Sequence, residues 1–188
     1  MSYTIRPAEV RDVKSVAPLI VQAMGDLAGD FVGSEQIEDA IPLFEKLFAL
    51  TENQYSHDHT LVYEEEGEIL GSITAYKGEN LYEYRRKLMQ IIEDEYQITG
   101  LHLEDETQAG EFYLDTLSVS PNAQGKGIGT KLIKAMIKKA IQESHSRVGL
   151  LVDKENPHAK RLYERLGFQV IKTVRLVESD FEHMQILL

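Results

Sequence analysis

Apolar residues along this chain recur in two rhythms. Val13, Val16, Ala17, Ile20 and Val21 fall at helical spacing. So do Ile37, Ile41, Phe44, Leu47 and Phe48; then Leu81, Tyr84, Leu88, Ile91 and Ile92; then Leu132, Ile133, Met136, Ile137, Ala140 and Ile141. A stripe at that spacing is the buried face of an amphipathic helix. It predicts helices over about 9–24, 34–51 and 80–98, and one running past residue 140. Ser34 stands where it could cap the second of these, and 25–33 reads as a loop. Strands are expected at 2–6, ended by Pro7, and at 60–65 and 68–75, where Glu66-Gly67 signals a hairpin. Further strands are expected at 111–119, rich in aromatic and β-branched residues, at 148–152, 168–176 and 181–187. The unbroken apolar run 148–152 suits a buried place in a sheet. A last helix over 157–166 closes on Gly167, a fitting C-terminal cap. The sum is a mixed α/β sheet of about seven strands with helices on both faces, in one domain over 1–188.

Two features stand out. The segment 77–110 is a long connection with its own helix, and such connections are more often functional than idle. It could form a wall or lid of a binding site or a contact between two copies; it could equally be a helix packed across the sheet edge. Glu93-Asp94-Glu95 and Glu104-Asp105-Glu106 flank its end, and they read as a solvated surface or a field for a cation. The second feature is the turn between strand 111–119 and the next helix, which carries Gly125, Gly127 and Gly129. Glycines let an anion approach the backbone. The first amides of a helix are unpaired and its dipole favours negative charge, so the turn is a phosphate cradle. The formal charge of the whole chain is −11, yet no Asp or Glu occurs from Pro121 to Gln142. Lys126 and Lys131 beside the glycines are expected near phosphate, and Lys134, Lys138 and Lys139 on a solvated helix face.

The glycine pattern narrows the ligand. A P-loop, G-x-x-x-x-G-K-[ST], is absent. The dinucleotide pattern G-x-G-x-x-G started at Gly125 meets Thr130 at its third glycine, with Asp153 as a conceivable ribose partner. Gln124-Gly125-Lys126-Gly127-Ile128-Gly129 matches Q/R-x-x-G-x-G/A without gaps. Downstream, Asn156, Ala159, Tyr163, Gly167 and Phe168 fit N-x-x-A-x-x-x-Y-x-x-x-G-F. Both motifs, in this order and spacing, resemble those of the GNAT family of N-acetyltransferases. The resemblance implies a GNAT-like acyl-coenzyme A N-acyltransferase fold and acetyl-coenzyme A as co-substrate. It also implies a wedge between strands 111–119 and 148–152 for the pantetheine arm. Around the coenzyme it places Leu117, Ser118, Val119, Gln124, Gly125, Lys126, Gly127, Ile128, Gly129, Thr130, Asn156, Ala159 and Tyr163. The segment between the first two helices is expected to help form the acceptor site.

Acetyl transfer to an amine needs a base, a donor to the developing oxyanion and a proton for the departing thiolate. By motif position Tyr163 is the proton donor, and the Val119 N–H is the candidate oxyanion donor. Asn156 contacts pantetheine, caps the next helix, or does both. By alternation Glu111, Tyr113, Asp115 and Leu117 share one strand face; Asp115 is the first candidate base and Glu111 the second, although a buried strand Asp is also a common partner of a turn. Acyl transfer to a primary amine in a ternary complex is the expected reaction. A non-catalytic acyl-coenzyme A sensor or regulatory protein would share the same cradle.

Composition bounds these readings. At 43% hydrophobic and 27% charged the chain is ordinary for a globular protein, and its lack of Cys excludes a disulfide or a cysteine nucleophile. The acidic balance argues against nucleic acid and favours cationic small-molecule or peptide amines. With no apolar signal region or spanning run, no membrane partner is expected and a cytoplasmic location is the default. His57-x-His59 has no supporting ligands, so no metal is expected. A homodimer through 77–110 or the last strands is plausible.

Overall fold

The structure is a computed structural model, which describes residues 2–176 and 179–188. Its strands are β1 (Tyr3–Pro7), β2 (Thr60–Glu65), β3 (Glu68–Lys77), β4 (Phe112–Val119), β5 (Arg147–Asp153), β6 (Gln169–Leu176) and β7 (Ser179–Leu187). Its α-helices are α1 (Val13–Met24), α2 (Asp26–Asp30), α3 (Ile41–Ala49), α4 (Leu81–Tyr96), α5 (Ile128–Gln142) and α6 (Pro157–Arg165). The sheet order is β1-β2-β3-β4-β5-β7-β6. Among the paired strands only β4 and β5 run parallel.

The two helical layers follow from the apolar stripes. Ile128, Leu132, Ile133, Met136 and Ala140 of α5 pack against Leu61, Ile73, Leu114 and Leu150 of the sheet, and Leu162 of α6 joins them. On the opposite face Val16, Ile20, Phe44, Phe48, Leu88 and Ile92 from α1, α3 and α4 meet around Val62. Thus the helix of segment 77–110 is part of the second core, with Leu88 and Ile92 fully buried.

Local differences from the sequence pattern have physical causes. The stretch 25–33 is not all loop: Gly25, at φ +58, ends α1 and α2 begins at once. The expected helix over 34–51 is shorter and split, with a 3-10 turn at Ile37–Ala40 leading into α3. Pro42 lies in the first turn of α3, where a missing N–H costs nothing. Ser34 ties that entry instead of capping a helix, since its hydroxyl accepts from the Gln36 N–H at 3.1 Å and donates to Asp39 at 2.6 Å. Strand β7 begins two residues earlier than expected, at Ser179.

Strand β4 carries the decisive irregularity. Thr74 pairs with Thr116 but Ala75 pairs with Leu114, so Asp115 is an extra residue with no partner in β3. A bulge of this kind re-aims side chains and reverses the parity that follows. Phe112 and Leu114 face α5 before it, and Leu117 and Val119 pack against the same core after it. Leu117 therefore does not share a face with Tyr113, which belongs to a cluster on the other side with Tyr76 and Leu81.

Candidate active site

The parallel pairing of β4 with β5 covers Phe112↔Val148, Tyr113↔Gly149 and Leu114↔Leu150, and it stops there. Beyond Asp115 the strands part. A cavity of about 150 Å³ opens in the gap, lined by Leu114, Asp115, Thr116, Leu117, Leu150, Leu151 and Tyr163 among others. Tyr163 reaches it from α6, its ring edge-on to Phe168 at 6.0 Å. Burial pushes the Tyr163 phenol up from its ordinary pKa, so it holds its proton.

At the open end of this gap lies the glycine turn. Gly125 and Gly127 adopt φ +78 and +75, and a Cβ added at either would meet open space. Residues 124–127 are exposed. Among the described residues the backbone N–H groups of 124–130 find no acceptor, and Lys131 N–H is the first to bond, to Gly127 at 3.1 Å. Helix α5 has no side-chain cap at Gly127, so its N-terminus is bare. A Cβ added at Gly129 would lie 3.8 Å from the Leu117 side chain and 3.9 Å from that of Val119, so the helix start sits beside the end of β4. The turn is pinned by the Val119 carbonyl, which accepts from Gln22 at 3.0 Å and Gln124 at 3.2 Å. Gln22 also donates to Ser118 Oγ at 2.7 Å. This α1 residue carried no signal in the sequence. Lys126 is exposed beside the turn. The Lys131 ammonium lies 4.1 Å from the centre of the Tyr3 ring, a cation–π contact.

Asn156 caps α6, its Oδ1 accepting the Ala159 N–H at 3.1 Å. Asp153 is spent on the turn before it, accepting from the Glu155 N–H at 2.8 Å.

The two carboxylates on the motif strand have opposite surroundings. Asp115 Oδ2 is buried with no hydrogen-bond partner. Burial pushes the Asp115 carboxyl well up from its usual range, the charge of Glu106 adds to this, and Arg85 partly offsets it. Glu111 lies at the far end, one residue before β4, and is only 1% exposed. It accepts from Thr107 at 2.6 Å, from His183 Nε2 at 2.7 Å and from Gln185. Burial opposes its charge, but those hydrogen bonds win and hold its carboxyl below the usual value. The structure therefore brings Asp115, Leu117 and Tyr163 together and leaves Glu111 outside that cavity.

A second cavity of about 260 Å³ meets the first, and Ala23, Asp115 and Leu151 line both. Leu103, Glu104 and Glu106, from the return arm of segment 77–110, form part of its wall. Arg85 on α4 holds that arm, donating to the Leu103 and Glu104 carbonyls at 2.8 Å and to Glu106. Met24, Leu27 and Phe31, from the expected acceptor segment, supply another wall.

The model of the acetyltransferase (GNAT) family matches residues 26–168. The chain belongs to the GNAT family. Its sheet with splayed β4 and β5 superimposes on a solved acetyltransferase structure at a TM-score of 0.83, with 30% identity and 97% of each chain covered. The GNAT chain is also 34% identical over 114 residues to a mycothiol acetyltransferase of Kocuria rhizophila, covering 56% of this chain and 37% of that protein. It is 36% identical over 67 residues to the spermine/spermidine N(1)-acetyltransferase of Bacillus subtilis, covering 35% of this chain and 44% of that protein. The chain thus spans less than two thirds of the length of these curated relatives. Membership in the family removes the dinucleotide reading of the glycine turn.

Proposed function

We propose that this protein transfers an acetyl group from acetyl-coenzyme A to a primary amine, with both bound at once. The observation that carries the reading is the end of β4–β5 pairing at Leu114 and Leu150, where a cavity holds both an unpartnered carboxylate and a protonated phenol. The residues fit the co-substrate. Bare N–H groups at 124–130 and a helix N-terminus suit a diphosphate. The strand gap suits an extended pantetheine arm, with the backbone of Leu117 and Val119 beside it. Asn156 keeps its amide nitrogen for that arm while its oxygen caps α6.

In this reading Asp115 accepts the proton of the incoming ammonium, and its raised proton affinity makes it a better base than an ordinary carboxylate. The Val119 N–H donates to the acetyl oxygen as charge develops there. When the C–S bond breaks, Tyr163 gives its proton to the sulfur, and the proton shed by the new amide nitrogen restores the phenol through solvent. Two relatives are named mycothiol acetyltransferase and spermine/spermidine N(1)-acetyltransferase, and the acidic cavity wall favours a cationic amine here.

The test is thiol release from acetyl-coenzyme A by the purified chain across alkylamines, arylalkylamines, polyamines, aminoglycosides and peptide N-termini. Turnover with at least one amine is expected. Tight coenzyme binding with no release from any would replace the enzyme with a coenzyme-sensing protein.

A further inference from the structure

The larger cavity contains a polar atom to which the proposed mechanism gives no role. Gln54 is 2% exposed and sits on the cavity wall. Its amide nitrogen donates to Glu106 Oε1 at 2.8 Å and to the Tyr76 hydroxyl at 3.1 Å. A carboxylate paired with Arg85 accepts and does not donate, so the nitrogen must be the atom facing Glu106, which fixes the amide's orientation. Gln54 Oε1 is then left buried and without a partner, as is Asp115 Oδ2 on the same wall. A buried acceptor without a donor costs about 1–3 kcal/mol. Both residues line one cavity, so a ligand that brings N–H donors would satisfy them. Glu104 and Glu106 give the wall its charge, and apolar side chains make up much of the remainder. Met24, Leu27, Phe31, Leu103, Leu151 and Phe181 contribute carbon surface.

We infer that Gln54 is a specificity-determining residue of the acceptor site, and that the acceptor is a primary monoamine with an apolar body. Its amino group meets Asp115, on the wall both cavities share, and Gln54 on the wall of the larger one, and its carbon skeleton lies against Leu27, Phe31 and Leu103. The acidic wall draws the cation in. A second ammonium deeper in the cavity would be desolvated against Phe31 and Leu27, while Glu106 is already taken up by Arg85, Gln54 and Tyr76. This inference rests on the acetyltransferase reading and deepens it.

The experiment is a kcat/KM series on the wild-type chain with straight primary alkylamines from propyl to hexyl, with phenethylamine, and with a diamine of the same backbone length as each alkylamine. A rise of about fourfold per added methylene is expected, from the transfer free energy of a buried CH2, with each monoamine ahead of its matched diamine. A flat or falling series, or a preferred diamine, overturns the inference while leaving acetyl transfer intact. Absence of turnover with every amine of this series overturns the inference, and only absence across the wider panel as well would sink both readings together. Gln54→Met keeps the shape and removes the oxygen together with the nitrogen that donates to Glu106 and Tyr76. It should raise KM for the amine at least about tenfold, leave kcat within about twofold and leave KM for acetyl-coenzyme A unchanged, with thermal melting as the check on folding. Unchanged amine KM in a folded Gln54→Met variant removes Gln54 from the site.

Discussion

Substituting Gly149 by Ala tests how the parallel strands are held just below the point where they part. The position is extended, so alanine suits the backbone as well as glycine does or better, and any loss must come from contact. A Cβ there would lie 2.0 Å from Glu111 Oε2, 2.2 Å from its Cδ and 2.8 Å from Oε1. Real Cβ atoms do not approach so closely, so the carboxylate must leave. It would abandon His183 at 2.7 Å, Thr107 at 2.6 Å and Gln185, all three buried. A hydrogen bond to a charged group contributes about 1.5–3 kcal/mol, and breaking a buried pair costs about 3–5 kcal/mol. The three contacts share one carboxylate and are not additive, so the expected loss is about 4 kcal/mol. For a chain of this size that is a fall in Tm of about 8–16 °C. Urea and thermal unfolding measure it.

A double-mutant cycle isolates the cause. Glu111→Ala alone should cost a similar amount, and Gly149→Ala in that background should cost about 1 kcal/mol or less, because the clash is gone. A Gly149→Ala protein that melts within about 2 °C of wild type would refute the reasoning. The cycle also decides the second candidate base, since Glu111→Ala/Gly149→Ala protein that still turns over confines Glu111 to a structural role.

Three catalytic and binding positions give further predictions, and the pH dependence of folding a fourth. Asp115→Asn should lower kcat/KM at least about a hundredfold; because folding raises the carboxyl's proton affinity, its contribution to stability is lost as pH rises through the folded value, so the Asn variant should melt higher than wild type at pH 8 and by less at pH 4.5. Tyr163→Phe should keep coenzyme affinity in calorimetry and slow turnover at least about tenfold. Gly127→Val, at φ +75 and on the bare helix start, should raise the Kd for coenzyme A at least about tenfold through strain and lost access. Folding lowers the Glu111 value, so its contribution is present above the unfolded carboxylate range and lost as pH falls through the folded one. Below about pH 4 the chain should therefore lose stability, and the loss should be smaller in Glu111→Gln.

Much of this was legible in the residues. Helical stripes placed α1, α4 and α5 because burial enforces their spacing, and the glycine turn was visible because only glycine adopts φ near +75 without cost. The motif strand was found but its geometry was not: alternation holds only while pairing is regular, and nothing in FYLDTLSV announces an unpaired residue at Asp115. The Glu111 cluster also escaped, because it joins Thr107 to His183 and Gln185 of the distant β7 and needs an empty Cβ position at Gly149. Gln54 lies in a loop with no motif, and its importance rests on which hydrogen bonds it lacks. Nor did the sequence show that Lys131, two residues after Gly129, has the rings of Tyr3 and Tyr63 as its neighbours in space.

One inserted residue ties these features together. Without the bulge at Asp115, Leu117 would face away from α5 and the strand would stay in register with β3. The extra residue lets Leu117 and Val119 return to the α5 core, where they back the glycine turn. It falls one position beyond the last β4–β5 pair. Its own side chain, released from the ladder, is left at the wall shared by both cavities. Segment 77–110 then completes what the bulge begins. Arg85 gathers the Leu103 and Glu104 carbonyls and Glu106 into a wall whose negative charge faces Asp115. The same guanidinium offsets part of that field, so the proton affinity of Asp115 is set by a balance between burial, Glu106 and Arg85. On this geometry the long connection 77–110 both shapes the proposed acceptor cavity and tunes the carboxylate at its mouth.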